Sequence, residues 1–292
     1  MSNITVITPK CSKPLNIVLW PTTEIHLMDV ALFLKSILNI EGYPSVPITS
    51  HFNPNCLNLV IGVVGYGRHN MEILPGSIII QMEQLYDESM WLASPWYLGV
   101  LSNPQYKVVD YNFHNQKYLQ KKANRTVPVM KIAWTPEIKT INPVPTNNKD
   151  IDILFYGGVN QRRANFLNKI NELGKRLVVR NNDLREPERT HLIQRSKIVL
   201  NFHYYDVGLF EWPRVHHLLM NGAFVISEDS VNKDEYKDYC SVIFTRFNDP
   251  NDMAKTIASY LEHPDIIDGM AKEAHEKLKK ERSTFPSETL QT

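Results

Sequence analysis

The sequence predicts an α/β protein with two domains, each built on a parallel β-sheet. Short runs rich in Val, Ile and Leu alternate with segments whose apolar residues recur at helical spacing. The alternation stops at residues 136–149, which contain three prolines and no periodicity, and then restarts. The 292 residues suffice for two domains of ordinary size. Strands that alternate with helices favour parallel sheets with right-handed crossovers.

The first half contains buried strands separated by helical segments. Val30 and Ile37 lie at helical spacing within residues 25–38, and Gly42 and Pro44 end that helix. The predicted strands here are residues 15–20, 57–64, 77–82, 106–110 and 129–133, and the predicted helices are residues 25–38, 86–101 and 112–122.

The second half repeats this pattern and has one strong helix start. Asp249 is predicted to cap a helix in which Pro250 takes the first position and Asp252 favours the dipole. The tail, residues 283–292, is predicted to fray. The predicted strands are residues 152–156, 176–179, 198–202, 224–227 and 242–244, and the other helices are residues 161–173, 187–195, 211–220 and 265–282. The predicted domains are residues 1–135 and 150–292, with the linker 136–149 between them.

Composition argues against several classes of protein. The formal net charge is +1, so no strong field favours nucleic acid, and no nucleic-acid partner is expected. Cys11, Cys56 and Cys240 form neither a metal motif nor a disulfide framework. No signal peptide and no apolar run long enough to span a bilayer are found, which predicts a cytoplasmic protein. Lysines crowd the last helix; weak membrane-surface association stays open, although a solvated face is favoured.

The stretch VVGYGRHN, residues 63–70, invites comparison with a dinucleotide-binding fingerprint. Gly65 and Gly67 follow a strand, but Asn70 occupies the position of the third glycine. Residues 71–76 are too few for a crossover helix before the next strand. Glu83, at the end of that strand, does match by position. We therefore expect a simple turn, and an NAD-dependent oxidoreductase that uses Gly65-x-Gly67 remains an alternative.

A second glycine turn, in FYGGVNQRR, carries a stronger signal. Gly157 and Gly158 end a predicted strand, and a helix begins just after them. Glycines let the backbone approach a ligand, and a helix N-terminus attracts phosphate. Arg162 and Arg163 add guanidinium groups suited to phosphate oxygens. This turn is predicted to bind an anionic ligand.

Aromatic, acidic and basic residues gather at the next strand ends. His203 and Tyr204 end one buried strand, Glu211 and Arg214 open the following helix, and Glu228 ends the strand after it. Such a set suits a nucleotide-sugar. The aromatic ring would stack on the base, the carboxylate would accept ribose hydroxyls, and arginine would bind the diphosphate.

These residues carry a family resemblance. The segments DILFYGGVNQRR, IVLNFHYY and FEWPRVHHLLMNGAFVISE look like the donor-binding half of glycosyltransferases with GT-B architecture, in which two Rossmann-like domains face a cleft. The similarity is greatest to a group of small glycosyltransferases of bacteria and large DNA viruses. In the first half, IIIQMEQL and VVDYNFHNQKYL look like segments of the same group. The resemblance covers most of residues 55–245, with specific motifs only after residue 150.

The resemblance implies a hexosyl- or deoxyhexosyltransferase that uses a nucleoside-diphosphate sugar, with UDP and GDP both open, and no bound cofactor or metal. It implies a glycan, lipid-linked or protein acceptor bound by the first domain, and a donor bound by the second. The sequence departs from the family at two places. His217 stands where many GT-B enzymes have a ribose-binding glutamate, and Ala133-Trp134 replaces a Gly-Tyr pair. We count His217 among the donor-binding candidates.

An inverting enzyme would need a general base, and a retaining one would not. Glu83 is the first candidate for this base, followed by His26 and His69. Asp150-Ile151-Asp152 matches a metal-binding D-x-D pattern, but it stands at the entrance of a strand, away from the expected chemistry. A non-catalytic module that only binds a sugar nucleotide is the other open alternative.

Overall fold

The computed structural model describes residues 11–19, 24–64, 72–87, 95–136, 138, 143–206 and 208–291. The chain divides into two compact units. Unit 1 comprises Met1–Ile138 with Arg282–Thr292, and unit 2 comprises Lys139–Glu281. In the described residues each unit has a five-stranded parallel sheet with helices between the strands, which confirms the predicted α/β class. The sequence placed residues 282–292 with the second domain, whereas the structure places them with the first.

Unit 1 has the strand order β2-β1-β3-β4-β5. Its central strands are buried throughout, because helices cover a sheet of this kind on both faces. The side chain of Asn112 caps the last of its helices by accepting from the backbone N–H of His114 at 2.7 Å. The elements are β1 Leu15–Leu19, α1 Glu24–Ile40, β2 Ile48–Thr49, β3 Leu57–Ile61, β4 Ile78–Gln81, α2 Pro95–Ser102, β5 Lys107–Asp110 and α3 Phe113–Ala123.

Unit 2 has the strand order β10-β9-β8-β6-β7. Its core includes the stacked rings of Phe155 and Phe202, whose centroids are 4.3 Å apart. The predicted cap is confirmed, because the Asp249 side chain accepts from the N–H of Asp252 at 2.9 Å. The elements are β6 Ile151–Tyr156, α4 Gln161–Asn171, β7 Leu177–Arg180, α5 Glu188–Arg195, β8 Ser196–Asn201, α6 Trp212–Met220, β9 Val225–Glu228, β10 Val242–Thr245, α7 Pro250–Leu261 and α8 Pro264–Lys279.

Three predicted segments differ in the structure. Tyr86 precedes the described helix, which spans Pro95–Ser102. Residues 129–133 form no strand, because their pairing partner changes from Asp110 to Thr284 within two residues. The tail does not fray: Phe285 and Leu290 are buried, and Ser283 Oγ accepts from the N–H of Ala133 at 2.8 Å. These apolar anchors fix the tail to unit 1.

The described residues contain neither a candidate membrane span nor a candidate metal site. None of the helices there is both long and apolar enough to cross a membrane. In the same residues, no group of three or more His, Cys, Asp and Glu side chains is arranged to hold a metal ion.

Candidate functional site

The parallel sheet of unit 2 brings the predicted donor residues to one edge. Strand β8 lies between β6 and β9, so the carboxyl ends of these three strands are neighbours. Gly157 follows β6, His203 follows β8, and Glu228 ends β9. Ligands of such sheets bind beyond the carboxyl ends of the strands.

The turn after β6 is tightly surrounded by side chains at both of its glycines. Gly157 has φ +130°, a conformation that side chains with a Cβ rarely adopt. A Cβ atom there would lie 3.0 Å from Arg214 Nη1 and 3.4 Å from Arg163 Nη1. A Cβ at Gly158 would lie 2.9 Å from Asn182 Nδ2. The backbone of this turn therefore passes directly beside two guanidinium groups.

Arg162 is held by an ion pair with Glu228. Two guanidinium nitrogens of Arg162 donate to the two carboxylate oxygens of Glu228, Nη1 at 2.9 Å. Arg162 also donates to the His203 carbonyl at 3.0 Å and to Asp206 Oδ1 at 3.0 Å. Glu228 is fully buried, and it accepts from the N–H of Asn248 at 2.6 Å. Two predicted ligand residues thus bind each other.

Arg163 fastens the glycine turn to the end of β8. Its Nε and Nη2 donate to the carbonyl of Phe202 at 3.1 and 2.8 Å, and its Nη1 donates to the carbonyl of Gly158 at 2.8 Å. Burial, followed by the positive charge of Arg214, lowers the pKa of Arg163 to about 10. Its guanidinium also lies over the ring of Tyr204, 5.2 Å from the centroid. Arg163 is buried and its three guanidinium nitrogens each donate a hydrogen bond, so it supports the shape of the turn.

Arg214 has a buried guanidinium nitrogen without a hydrogen-bond partner among the described residues. Its guanidinium lies over the Tyr156 ring, 4.2 Å from the centroid, and Nη2 donates to the carbonyl of Leu200 at 3.2 Å. Its buried Nε has no hydrogen-bond partner among the described residues. A buried donor without a partner is costly. Nη1 of the same guanidinium lies 3.0 Å from the position of a Cβ at Gly157, so Arg214 borders the glycine turn.

His203 and Glu211 form a second buried pair. His203 Nδ1 lies 2.9 Å from Glu211 Oε1, and Asn201 Nδ2 donates to Glu211 Oε2 at 3.0 Å. Burial would raise the pKa of Glu211, but the charge and hydrogen bond of His203 outweigh it and lower this pKa to about 2. Burial likewise opposes the charged form of His203, yet Glu211 raises the pKa of His203. Glu211 is therefore a carboxylate held in a fixed orientation.

The other two predicted donor residues, Tyr204 and His217, take no part in the two buried ion pairs. Tyr204 is 42% exposed and lies beside Gly158, so its ring is available for stacking. His217 lies in the middle of α6, where its Nε2 is 3.5 Å from Glu186 Oε1. The structure gives His217 no contact with the glycine turn.

In unit 1, Glu83 follows β4 and its backbone is held by a buried polar network. Its N–H donates to Gln81 Oε1 at 2.5 Å, and its carbonyl accepts from Asn115 Nδ2 at 2.9 Å. Asp110, at the end of β5, accepts from both Gln81 and Asn115. Burial, opposed by these donated hydrogen bonds, raises the pKa of Asp110 to about 7.

The remaining candidates of the first half lie partly or wholly outside the described residues. His26 belongs to α1, but its side chain is not described. Gly65, Gly67 and His69 are outside the described residues, so the structure does not test the VVGYGRHN turn.

Sequence reasoning missed several residues that orient the site. Asn201 and Asn248 bind the carboxylates of Glu211 and Glu228, and Asn160 caps α4 through the N–H of Arg163 at 2.9 Å. Asparagine after a strand or before a helix is a recognisable signal for a cap. Nothing in the sequence identifies which carboxylate an asparagine will bind.

Two α/β units with parallel sheets, and an arginine-lined glycine turn at the strand ends of the second, match the fold of glycosyltransferases with GT-B architecture. The family model described as glycosyl transferase-like matches residues 139–284, half of the 292-residue chain. The chain therefore belongs to this family. No curated protein matches it by sequence.

Several solved structures share the fold. WaaG, a glycosyltransferase involved in lipopolysaccharide biosynthesis, is 8% identical with a TM-score of 0.58, over 91% of this chain and 95% of WaaG. HepE from Anabaena, solved with UDP and glucose, is 12% identical with a TM-score of 0.57, over 96% and 97%. TarM is 10% identical with a TM-score of 0.52, over 81% of this chain. This chain spans only 53% of TarM.

Proposed function

We propose that the protein transfers a sugar, a hexose or deoxyhexose, from a nucleoside-diphosphate sugar to a glycan, lipid-linked or protein acceptor, without a bound metal. The observation that carries the proposal is Arg214. Its buried, unpartnered Nε lies in a guanidinium beside the Gly157 backbone, among the described residues. A diphosphate oxygen at this turn would complete its hydrogen bonds, and charge-assisted bonds of this kind are among the strongest in proteins.

The same arrangement supports distinct roles for the other residues. The N-terminus of α4 favours negative charge near Gly157. Glu211, kept ionised and fixed by His203 and Asn201, suits the hydroxyl groups of a ribose. Tyr204 offers an exposed ring on which a base would stack. Positive groups at the diphosphate would stabilise the leaving group as the sugar departs.

Uridine is the first base to test, because HepE, which shares the fold, was solved with UDP and glucose. Glu83 is the proposed general base if the reaction inverts the anomeric centre. The backbone of Glu83 is fixed by Gln81 and Asn115, which sets the point from which its side chain extends.

The decisive experiment is calorimetric titration of UDP, GDP, NAD and NADP into the wild type and two arginine variants. Arg214→Ala should weaken binding of the preferred nucleoside diphosphate about tenfold to a hundredfold, the value of a charge-assisted hydrogen bond. Arg176→Ala is the matched control, since Arg176 forms an exposed ion pair with Asp150 at the amino end of the sheet. Its affinity should equal that of the wild type.

Two results would contradict the proposal. Unchanged nucleotide affinity in Arg214→Ala would show that Arg214 does not bind the diphosphate. Binding of NAD or NADP alone would favour the oxidoreductase. A protein that binds UDP but neither transfers nor hydrolyses the sugar would be a binding module. In that case Glu83→Gln would leave its binding activity unchanged.

A further inference from the structure

A second pocket lies in unit 2 at the other end of its sheet. It has a volume of about 410 Å³ and is formed around Lys149, which precedes β6, and Gly222, which precedes β9. The glycine turn follows the carboxyl end of β6, so this pocket lies at the opposite edge from the proposed donor site. Pro143, Val144 and Ala271 supply apolar walls.

Lys149 is the unusual residue of this pocket. Its side chain is buried, with only 8% of the residue exposed, yet its ammonium group forms no hydrogen bond or ion pair within the described part of the chain. Burial, opposed by the charge of Asp268, lowers the pKa of Lys149 to about 8. An anion beside a largely buried ammonium offsets the cost of its burial.

The other charged groups of the pocket nearly balance. Lys279 Nζ donates to Glu276 Oε1 at 2.8 Å, so these two charges cancel. Asp268 accepts from the N–H and hydroxyl of Thr146, at 2.9 and 2.6 Å, and Lys272 is exposed at the edge.

His275 donates from Nδ1 to the carbonyl of Leu219 at 3.0 Å, which holds its ring at the pocket wall. Lys149 and Lys272 against Asp268 then leave one positive charge, which a single carboxylate would neutralise. A phosphate dianion would exceed this charge and lie near Asp268.

We propose that the pocket binds a small monocarboxylate, whose carboxylate pairs with the ammonium of Lys149 and whose apolar part packs against Pro143, Val144 and Ala271. The site is independent of the proposed nucleotide site and does not rest on it. It gives unit 2 a place at which an organic acid can stabilise the native state.

The experiment is a titration of butanoate, benzoate and the neutral isostere butanamide, followed by NMR at pH 7. The carboxylates should bind and butanamide should bind at least about tenfold more weakly, because it lacks the charge that pairs with Lys149. Lys149→Met should weaken butanoate binding by a similar factor, and Lys149→Arg should restore it. Lys255→Met, which removes an exposed lysine of α7, is the control and should bind like the wild type.

The pH dependence of carboxylate binding tests the contact with Lys149 independently. A carboxylate partner stabilises the charged ammonium, so binding should raise the pKa of Lys149, and affinity should fall as pH rises through about 8. Three results would each overturn the proposal: equal binding of butanoate and butanamide, wild-type affinity in Lys149→Met, or tighter binding of inorganic phosphate than of butanoate. Absence of any carboxylate binding would overturn it as well.

Discussion

Replacing Gly157 with alanine tests whether the turn after β6 is a ligand site or only a tight turn. At φ +130° a residue with a Cβ is strained by about 1–3 kcal/mol. The new Cβ would also lie 3.0 Å from Arg214 Nη1, so the guanidinium must move. Because small proteins have unfolding free energies of about 5–15 kcal/mol, we expect the variant to fold.

Displacement of Arg214 should cost at least one charge-assisted hydrogen bond to the diphosphate. Such a bond contributes about 1.5–3 kcal/mol, which corresponds to a loss of about tenfold to a hundredfold in affinity for UDP or GDP. Urea unfolding gives the stability of the variant, and calorimetry gives its nucleotide affinity.

Gly174→Ala is the matched control. Gly174 also has a positive φ, +63°, but a Cβ there meets no atom within 4 Å. This control should lose about 1–2 kcal/mol of stability from backbone strain and none of its nucleotide affinity. If Gly157→Ala loses stability but binds nucleotide like the control, the turn has no contact with the ligand and the reasoning is refuted.

Two further predictions concern buried carboxylates. Glu228→Gln breaks the buried pair with Arg162 and should lower the free energy of unfolding by about 3–5 kcal/mol, whereas Glu172→Gln, in an exposed pair, should change it by less than about 1 kcal/mol. Equal melting temperatures of the two variants would contradict this. Folding raises the pKa of Asp110 from 3.8 to about 7, so its stabilising contribution is complete below pH 3.8 and is lost as pH rises through about 7. Thermal unfolding from pH 4 to 8 should therefore show wild type losing stability relative to Asp110→Asn, and parallel curves would argue against a buried proton.

The sequence predicts the fold class well because its signal is local. Short apolar runs predict the strands, and helical periodicity predicts the helices. Parallel pairing of the strands then brings Gly157, His203 and Glu228 to the carboxyl edge of the sheet. The strand pattern alone is therefore enough to group residues that follow neighbouring strands. Cap residues are predicted for the same reason, as Asp249 shows.

The partners of individual side chains are not local. Arg162 and Arg163 are adjacent in sequence and share one predicted role, yet one pairs with Glu228 and the other binds the end of β8. The hydrogen-bond partners of a long flexible side chain depend on burial and on three-dimensional geometry. The spacing of residues in the sequence shows neither of these. The ordered structure of the tail could not be predicted for another reason. Phe285 and Leu290 are isolated apolar residues in a polar stretch, and two such residues do not form a helical or strand-like periodicity.

The return of the tail to unit 1 has a consequence for synthesis. Residues Arg282–Thr292 complete a unit that begins at the N-terminus, with all of Lys139–Glu281 inserted between its two pieces. A chain emerging from the ribosome can assemble unit 2 from contiguous sequence, but unit 1 also needs Arg282–Thr292, including buried Leu290, which are translated after unit 2. Unit 1 is therefore completed only after unit 2 has been translated, and a chain that stops before residue 282 lacks part of unit 1.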